Sequence, residues 1–190
     1  YTHRFDPLCE VEVVADNLKF LHDLGLYNYA GISSYPKDKL FELIKLLLER
    51  KVPIACLQYN VSLISLDNYK LCKECFDKWG ISTIAFSPLG QGLLTDSFFK
   101  KNKDINSRLN EESSTVVEVT SEMRDSLNYV NDVCKKYNIS VELMAIVWLL
   151  SKDFIASAAY GPRKINQIFN MKEIKKLINQ LDNAFDLKQL

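Results

Sequence analysis

The sequence lacks the features that would direct it to nucleic acid, a bilayer or an oxidising compartment. Lysine plus arginine equals aspartate plus glutamate, 24 of each in 190 residues. No net field therefore recruits nucleic acid or an anionic membrane surface. No apolar run approaches the roughly 20 residues that a bilayer-spanning helix needs. There is no signal-peptide pattern; since the first residue is Tyr1 and not methionine, this bears only on the residues given. The 5 cysteines are odd in number and irregularly spaced, which suits reduced thiols in a cytoplasmic protein better than a disulfide scaffold. Cys72-x-x-Cys75 has no second pair and falls inside an amphipathic helical pattern, so it is not expected to bind metal. Internal repeats, low-complexity tracts and interdomain linkers are also missing, and residues 1–190 are expected to form one domain.

What is present is a core and a rhythm. With 47% apolar residues, the chain can bury a sizeable interior. Tyr1–His3 has the character of a strand end, and Pro7 and Leu8 lead into a helix with Val11, Val14, Leu18 and Leu21 at helical spacing. Gly25 is a suitable stop for that helix. Tyr27–Ser33 is an expected strand, Lys37–Arg50 a helix, Ile54–Tyr59 a buried strand and Asn68–Lys78 a helix closed by Gly80. Ile81–Phe86 follows as a strand, and 96–115 is polar with no clear period. Helices resume at about Val116–Tyr137 and Val141–Ser151. Phe154–Tyr160 is a further strand, with a short helix from about Lys164 and a last amphipathic helix near Lys172–Ala184. Alternating strands and helices with short connections imply a parallel sheet with right-handed crossovers.

The stretch that carries most chemistry is Ile81–Asp96, ISTIAFSPLGQGLLTD. A buried strand breaks there into Ser87-Pro88-Leu89-Gly90-Gln91-Gly92, a loop leaving the carboxyl end of a parallel strand, where α/β proteins bind ligands. Glycines allow close backbone approach to a phosphate. An aromatic followed by Ser-Pro-Leu-Gly-x-Gly-Leu-Leu-Thr resembles the seventh-strand loop of the aldo-keto reductases. His3-Arg4-Phe5-Asp6-Pro7, Gly31-Ile32-Ser33-Ser34, Gln58 and Gly161-Pro162-Arg163 stand in that family's order and spacing. The resemblance implies an α/β fold, a (β/α)8 TIM barrel, and NADP(H) as cofactor. Four complete strands plus the Tyr1–His3 stub fall short of the eight strands and about 250 residues of a closed barrel. The chain therefore corresponds to the last half of one, from the end of strand four to strand eight and the C-terminal helix. A truncated parent, a split gene product or two copies closing one barrel would each account for that, and the truncated parent is the expectation.

The resemblance also assigns roles. His3 would orient the substrate carbonyl by hydrogen bonding, while a tyrosine, its pKa lowered by a lysine–aspartate pair, donates the proton. In the family's order those three residues lie upstream of His3 and are not in this sequence. His22 has no such context and reads as structural. Ser33, Ser34 and Gln58, at strand ends, would hold the nicotinamide carboxamide; the family's usual residue at position 34 is asparagine. Phe86 would lie against the nicotinamide face, and donors of Ser87, Pro88, Leu89, Gly90 and Gln91 would cover the pyrophosphate. Arg108 matches an arginine that reaches the cofactor phosphates, whereas Ser97 stands where many relatives have lysine. Gly161 and Arg163, with Gln167 and Asn170, open the final strand-to-helix turn. With Lys164, Arg163 suits a 2′-phosphate, hence NADPH over NADH. Met171 replaces an asparagine that usually contacts the adenine.

Two functions follow. The first is an NADPH-dependent oxidoreductase reducing aldehydes or ketones to alcohols, with a small-molecule carbonyl substrate, no nucleic acid and no membrane insertion, completed by an N-terminal half or by oligomerisation. The second is a non-catalytic nucleotide-binding regulatory subunit resembling the potassium-channel β-subunits of the same superfamily, or an inactive truncated reductase. The GLLT ending resembles that longer-chain branch, whereas its channel subunits often lack the histidine that His3 supplies. A phosphate-binding barrel of unrelated chemistry would require four coincident motifs.

Overall fold

The computed structural model describes residues 1–99, 119–162, 165, 168 and 171–184. Each strand but the last is followed by helix on the way to its neighbour, in the order α1 (Val11–Asp23), β1 (Ala30–Ser33), α2 (Lys37–Glu49), β2 (Ile54–Asn60), α3 (Leu66–Trp79) and β3 (Thr83–Phe86). The connection from β3 to β4 (Ile155–Ala159) is longer and contains a 3-10 turn at Gly90–Gly92, α4 (Asp96–Phe99), α5 (Ser121–Tyr137) and α6 (Val141–Leu150); α7 (Met171–Ala184) comes last. The sheet order is β1-β2-β3-β4, all parallel. Thr2 adds a parallel bridge to Ile32, and its amide donates to Gly31 O at 3.1 Å. Tyr1–His3 is thus the expected strand end beside β1.

Alternation along the strands sorts their side chains to two faces. Ile32, Leu57, Tyr59, Thr83 and Ala85 are buried on the face covered by helices. Cys56 and Gln58 in β2, Ile84 and Phe86 in β3, and Ser157 and Ala159 in β4 share the other face through the pairings Gln58↔Ile84, Ile84↔Ser157 and Phe86↔Ala159. The helices supply the other half of the core. In α2, Leu40, Leu43, Ile44 and Leu47 recur at helical spacing and are fully buried, each worth about 1.5–3 kcal/mol of transfer free energy. α6 is apolar all round, and Val141 and every residue from Leu143 to Leu149 are buried. That pattern belongs to a helix wrapped by protein, here by α5, α7 and β4.

Several element ends differ from the sequence expectation for local chemical reasons. β1 starts at Ala30 rather than Tyr27, because the Tyr27 hydroxyl donates to Leu18 O at 2.6 Å and its ring tilts against His22. Residues 27–29 are thereby tied to α1 instead of the sheet. α3 starts at Leu66 rather than Asn68, after a turn in which the Ser62 amide donates to Ser65 Oγ at 2.6 Å. Thr83, not Ile81, opens β3. α5 opens at Ser121, where Thr120 Oγ1 accepts from the Met123 amide; the expected start near Val116 lies outside the described residues, as does most of the short helix expected from Lys164. Gly25 (φ +68°) and Gly80 (φ +69°) follow their helices in the left-handed conformation anticipated for them. No helix among the described residues is long and apolar enough to cross a membrane.

Candidate functional site

The carboxyl ends of the stub, β1, β2 and β3 open onto one cavity of about 650 Å³. His3, Ser33, Ser34, Gln58 and Phe86 all line it, together with Arg4, Phe5 and Pro36. Register explains the convergence. Ser33 pairs with Gln58, and Phe86 lies one pleat beyond the Gln58↔Ile84 pair, so three adjacent strands end at neighbouring heights. His3 joins them because the Thr2 amide bonds to Gly31 and the Phe5 amide to Ser34 O at 3.3 Å. The Phe5 ring packs edge-on against Tyr35, with centroids 5.4 Å apart.

The backbone turns sharply at two of these strand ends. Ser34 (φ +57°) and Ser87 (φ +51°) occupy left-handed conformations that cost a residue with a Cβ. Strain of this kind gathers at ligand sites. Ser33 Oγ and Ser34 Oγ are 3.2 Å apart and hydrogen-bonded. Beneath the cavity the Tyr35 amide donates to Tyr59 Oη at 2.8 Å, and the Tyr59 hydroxyl donates to Tyr35 O at 2.7 Å. This reciprocal pair locks the β1–α2 turn to β2. Burial raises the Tyr59 pKa well above the usual phenol range, so its hydroxyl keeps the proton that the lock needs.

The Ser87–Gln91 loop leaves β3 beside Phe86 but does not line the cavity. Its Gly90 amide is used internally, donating to Ser87 O at 2.9 Å. A Cβ on Gly90 would lie 2.5 Å from Ile64 Cδ1. The missing side chain at Gly90 thus admits Ile64. Pro88 is buried, and Leu89 and Gln91 are half-buried. Gly161 lies exposed just past β4, with nothing within 4 Å of the position its Cβ would take. Arg108, Arg163, Gln167 and Asn170 fall outside the described residues. Cys72 and Cys75 are buried on α3, and burial pushes their thiols up to about 11 and about 12, as for core residues.

Three residues lining the site escaped sequence reasoning. Arg4 and Phe5 sit inside a motif noted for its histidine, and Pro36 had no motif; all three line the cavity. Asn60 does not line the cavity, but its Oδ1, on the residue paired with Phe86, is buried and without a hydrogen-bond partner among the described residues. Its place at the carboxyl end of β2, two residues past Gln58, is the signal that could have singled it out.

The model of the Aldo/keto reductase family matches residues 1–185. The chain belongs to that family. It is 30% identical over 197 residues to the L-glyceraldehyde 3-phosphate reductase of Escherichia coli (strain K12), a match covering 100% of the chain and 55% of that protein. It is 27% identical to a probable voltage-gated potassium channel subunit beta of Oryza sativa subsp. japonica, over 92% of the chain and 55% of that protein. This aldo/keto reductase chain thus spans about half the length of the relatives it matches. The glycerol dehydrogenase of Gluconobacter oxydans superposes on it with a TM-score of 0.63 at 19% identity, covering 95% of the chain and 57% of that structure. The fold is therefore the aldo/keto reductase TIM barrel, with β1–β4 and the Tyr1–His3 stub as an arc of its wall.

Proposed function

We propose that the protein containing this chain is an NADPH-dependent oxidoreductase that reduces a small aldehyde or ketone to an alcohol. The observation that carries the reading is the convergence of His3, Gln58 and Phe86 on one cavity at the carboxyl ends of the strands. The donor set suits a nicotinamide. Ser33, Ser34 and Gln58 offer the hydroxyl and amide groups that a carboxamide requires, and Phe86 offers a flat apolar ring. Bound there, the cofactor would supply the hydride. Gln58 and the two serines would fix which ring face meets the substrate, and Phe86 would exclude water from that face. His3 Nε2 or Nδ1 would donate to the substrate carbonyl oxygen, orienting it and drawing off charge as hydride arrives. By resemblance, Arg163 would take the 2′-phosphate. Residues 1–190 would form part of one barrel domain, working in the cytoplasm.

Fluorescence titration of the full-length protein with NADPH tests this. Gln58→Ala is expected to weaken binding by about 1 kcal/mol, the value of a net hydrogen bond. Arg163→Ala is expected to cost about 1–3 kcal/mol toward NADPH, as for a charged one, and little toward NADH. No NADPH binding by the wild type would end the reading. A second reading, a nucleotide-binding regulatory subunit, draws on the likeness to the rice channel-subunit sequence. NADPH binding without turnover of any aldehyde or ketone by the full-length protein would favour it.

A further inference from the structure

Arg4 gives the cavity a chemical preference. His3 and Arg4 are consecutive, and in a regular strand consecutive side chains point to opposite faces. Here both line the cavity, because the chain bends at Arg4. The bend is held from both sides by the bonds of Thr2 to Gly31 and of Phe5 to Ser34, and Phe5 is further seated on Tyr35. Arg4 is exposed at this fixed rim. Among the described residues no carboxylate pairs with its guanidinium. The nearest acid in sequence, Asp6, has an oxygen engaged by the Leu8 amide at 2.9 Å. The remaining lining residues are uncharged apart from the titratable His3, so Arg4 is the only permanently charged group among the described residues of the cavity wall. An unpaired planar fork beside the group that would orient a carbonyl is suited to a second, anionic end of the same molecule.

We propose that Arg4 is a specificity-determining residue, selecting short carbonyl substrates that carry a phosphate or carboxylate over neutral ones. The proposal rests on the reading of this cavity as the carbonyl site. Arg4 acts on binding of the distant anionic group and takes no part in proton or hydride transfer, so its removal should appear in KM and leave kcat nearly unchanged.

The test uses the full-length protein saturated with NADP+, titrated by calorimetry with glycerol 3-phosphate, with 4-hydroxybutyrate as the carboxylate arm and glycerol as the neutral control. The wild type is expected to bind at least one anionic probe ten-fold or more tightly than glycerol. Arg4→Gln should abolish that preference, Arg4→Lys should restore part of it, and NADPH affinity should be the same in all three proteins. Equal binding of anionic and neutral probes by the wild type, or an unchanged preference in Arg4→Gln, would overturn the proposal while leaving the reductase reading intact. A loss of NADPH affinity in Arg4→Gln would assign Arg4 to the cofactor and overturn it likewise. Failure of the wild type to bind NADPH would remove both.

Discussion

Ser34 shows how one residue can serve a site by its backbone as much as by its side chain. Its φ of +57° turns the chain out of β1 so that Ser33 and Ser34 both reach the cavity and Ser34 O accepts from Phe5. Asparagine tolerates that conformation better than most residues, and β-branched residues tolerate it worst. This gives a physical reason for the asparagine that the family resemblance leads one to expect at this position. The side chain is exposed, so substitution there tests the backbone with little loss of packing. Ser34→Asn should stabilise the protein by up to about 1 kcal/mol, and Ser34→Val should destabilise it by about 1–2 kcal/mol. Urea denaturation midpoints should rank Asn above Ser above Val. A valine variant as stable as the wild type would mean that the turn relaxes freely and stores no strain.

At the scale of elements, the link between α4 and α6 exists only in three dimensions. Asp96 Oδ1 accepts from the Val141 amide at 3.0 Å, and Glu142 Oε1 accepts from the Asp96 amide at 3.0 Å. Each carboxylate accepts from the N-terminal turn of the other's helix, and Ser140 Oγ adds a bond from the Leu143 amide. Acids at helix N-termini also oppose the positive end of the peptide dipoles. The clamp holds the exit of the Ser87–Gln91 loop to the buried helix behind it. Asp96→Ala should cost about 1 kcal/mol. Combining it with Glu142→Ala should cost less than the sum of the two, since the residues are in one network; strict additivity in denaturant titrations would show that the clamp does not act as a unit. No sequence pattern announces this pair, whose members are 46 residues apart. The strands and main helices were legible because their apolar periods are strong, and Gly25 and Gly80 marked stops correctly. The errors lie where side chains compete for the backbone, as Tyr27 does at Leu18 and Ser65 at Ser62. Motifs singled out His3, Ser33, Gln58 and Phe86, which the fold brings to one cavity. Arg4 was hidden because alternation along an extended chain would turn it away, and the packing of Gly90 against Ile64 was hidden because the two are remote in sequence.

For the whole molecule, the core contains acids that never meet water in the folded state. Cys72, Cys75 and Cys134 are each no more than 2% exposed. Burial raises their thiols from an ordinary 9.0 to about 11, about 12 and about 12, with the charges of Asp96 and Glu142 adding to the rise at Cys134. The folded state therefore holds these protons when the unfolded chain has released them. Below pH 9 both states are protonated and the contribution to stability is complete. As pH rises from 9 towards 11 and 12 the unfolded state binds fewer protons than the native one, so stability must fall. Melting temperature should be level from pH 7 to about 8.5 and decline above 9. Lysine ion pairs at the surface add to the loss only nearer their own higher range, and Cys134→Ala should make the first part of the decline shallower. The same burial predicts that a thiol reagent at neutral pH reaches half-buried Cys9 first, and that Cys72, Cys75 and Cys134 react only on unfolding. A melting temperature unmoved between pH 8 and 11, or rapid labelling of all three core thiols in the folded protein, would show that the helix-covered side of the sheet is open to water and that the core described for it does not exist in solution.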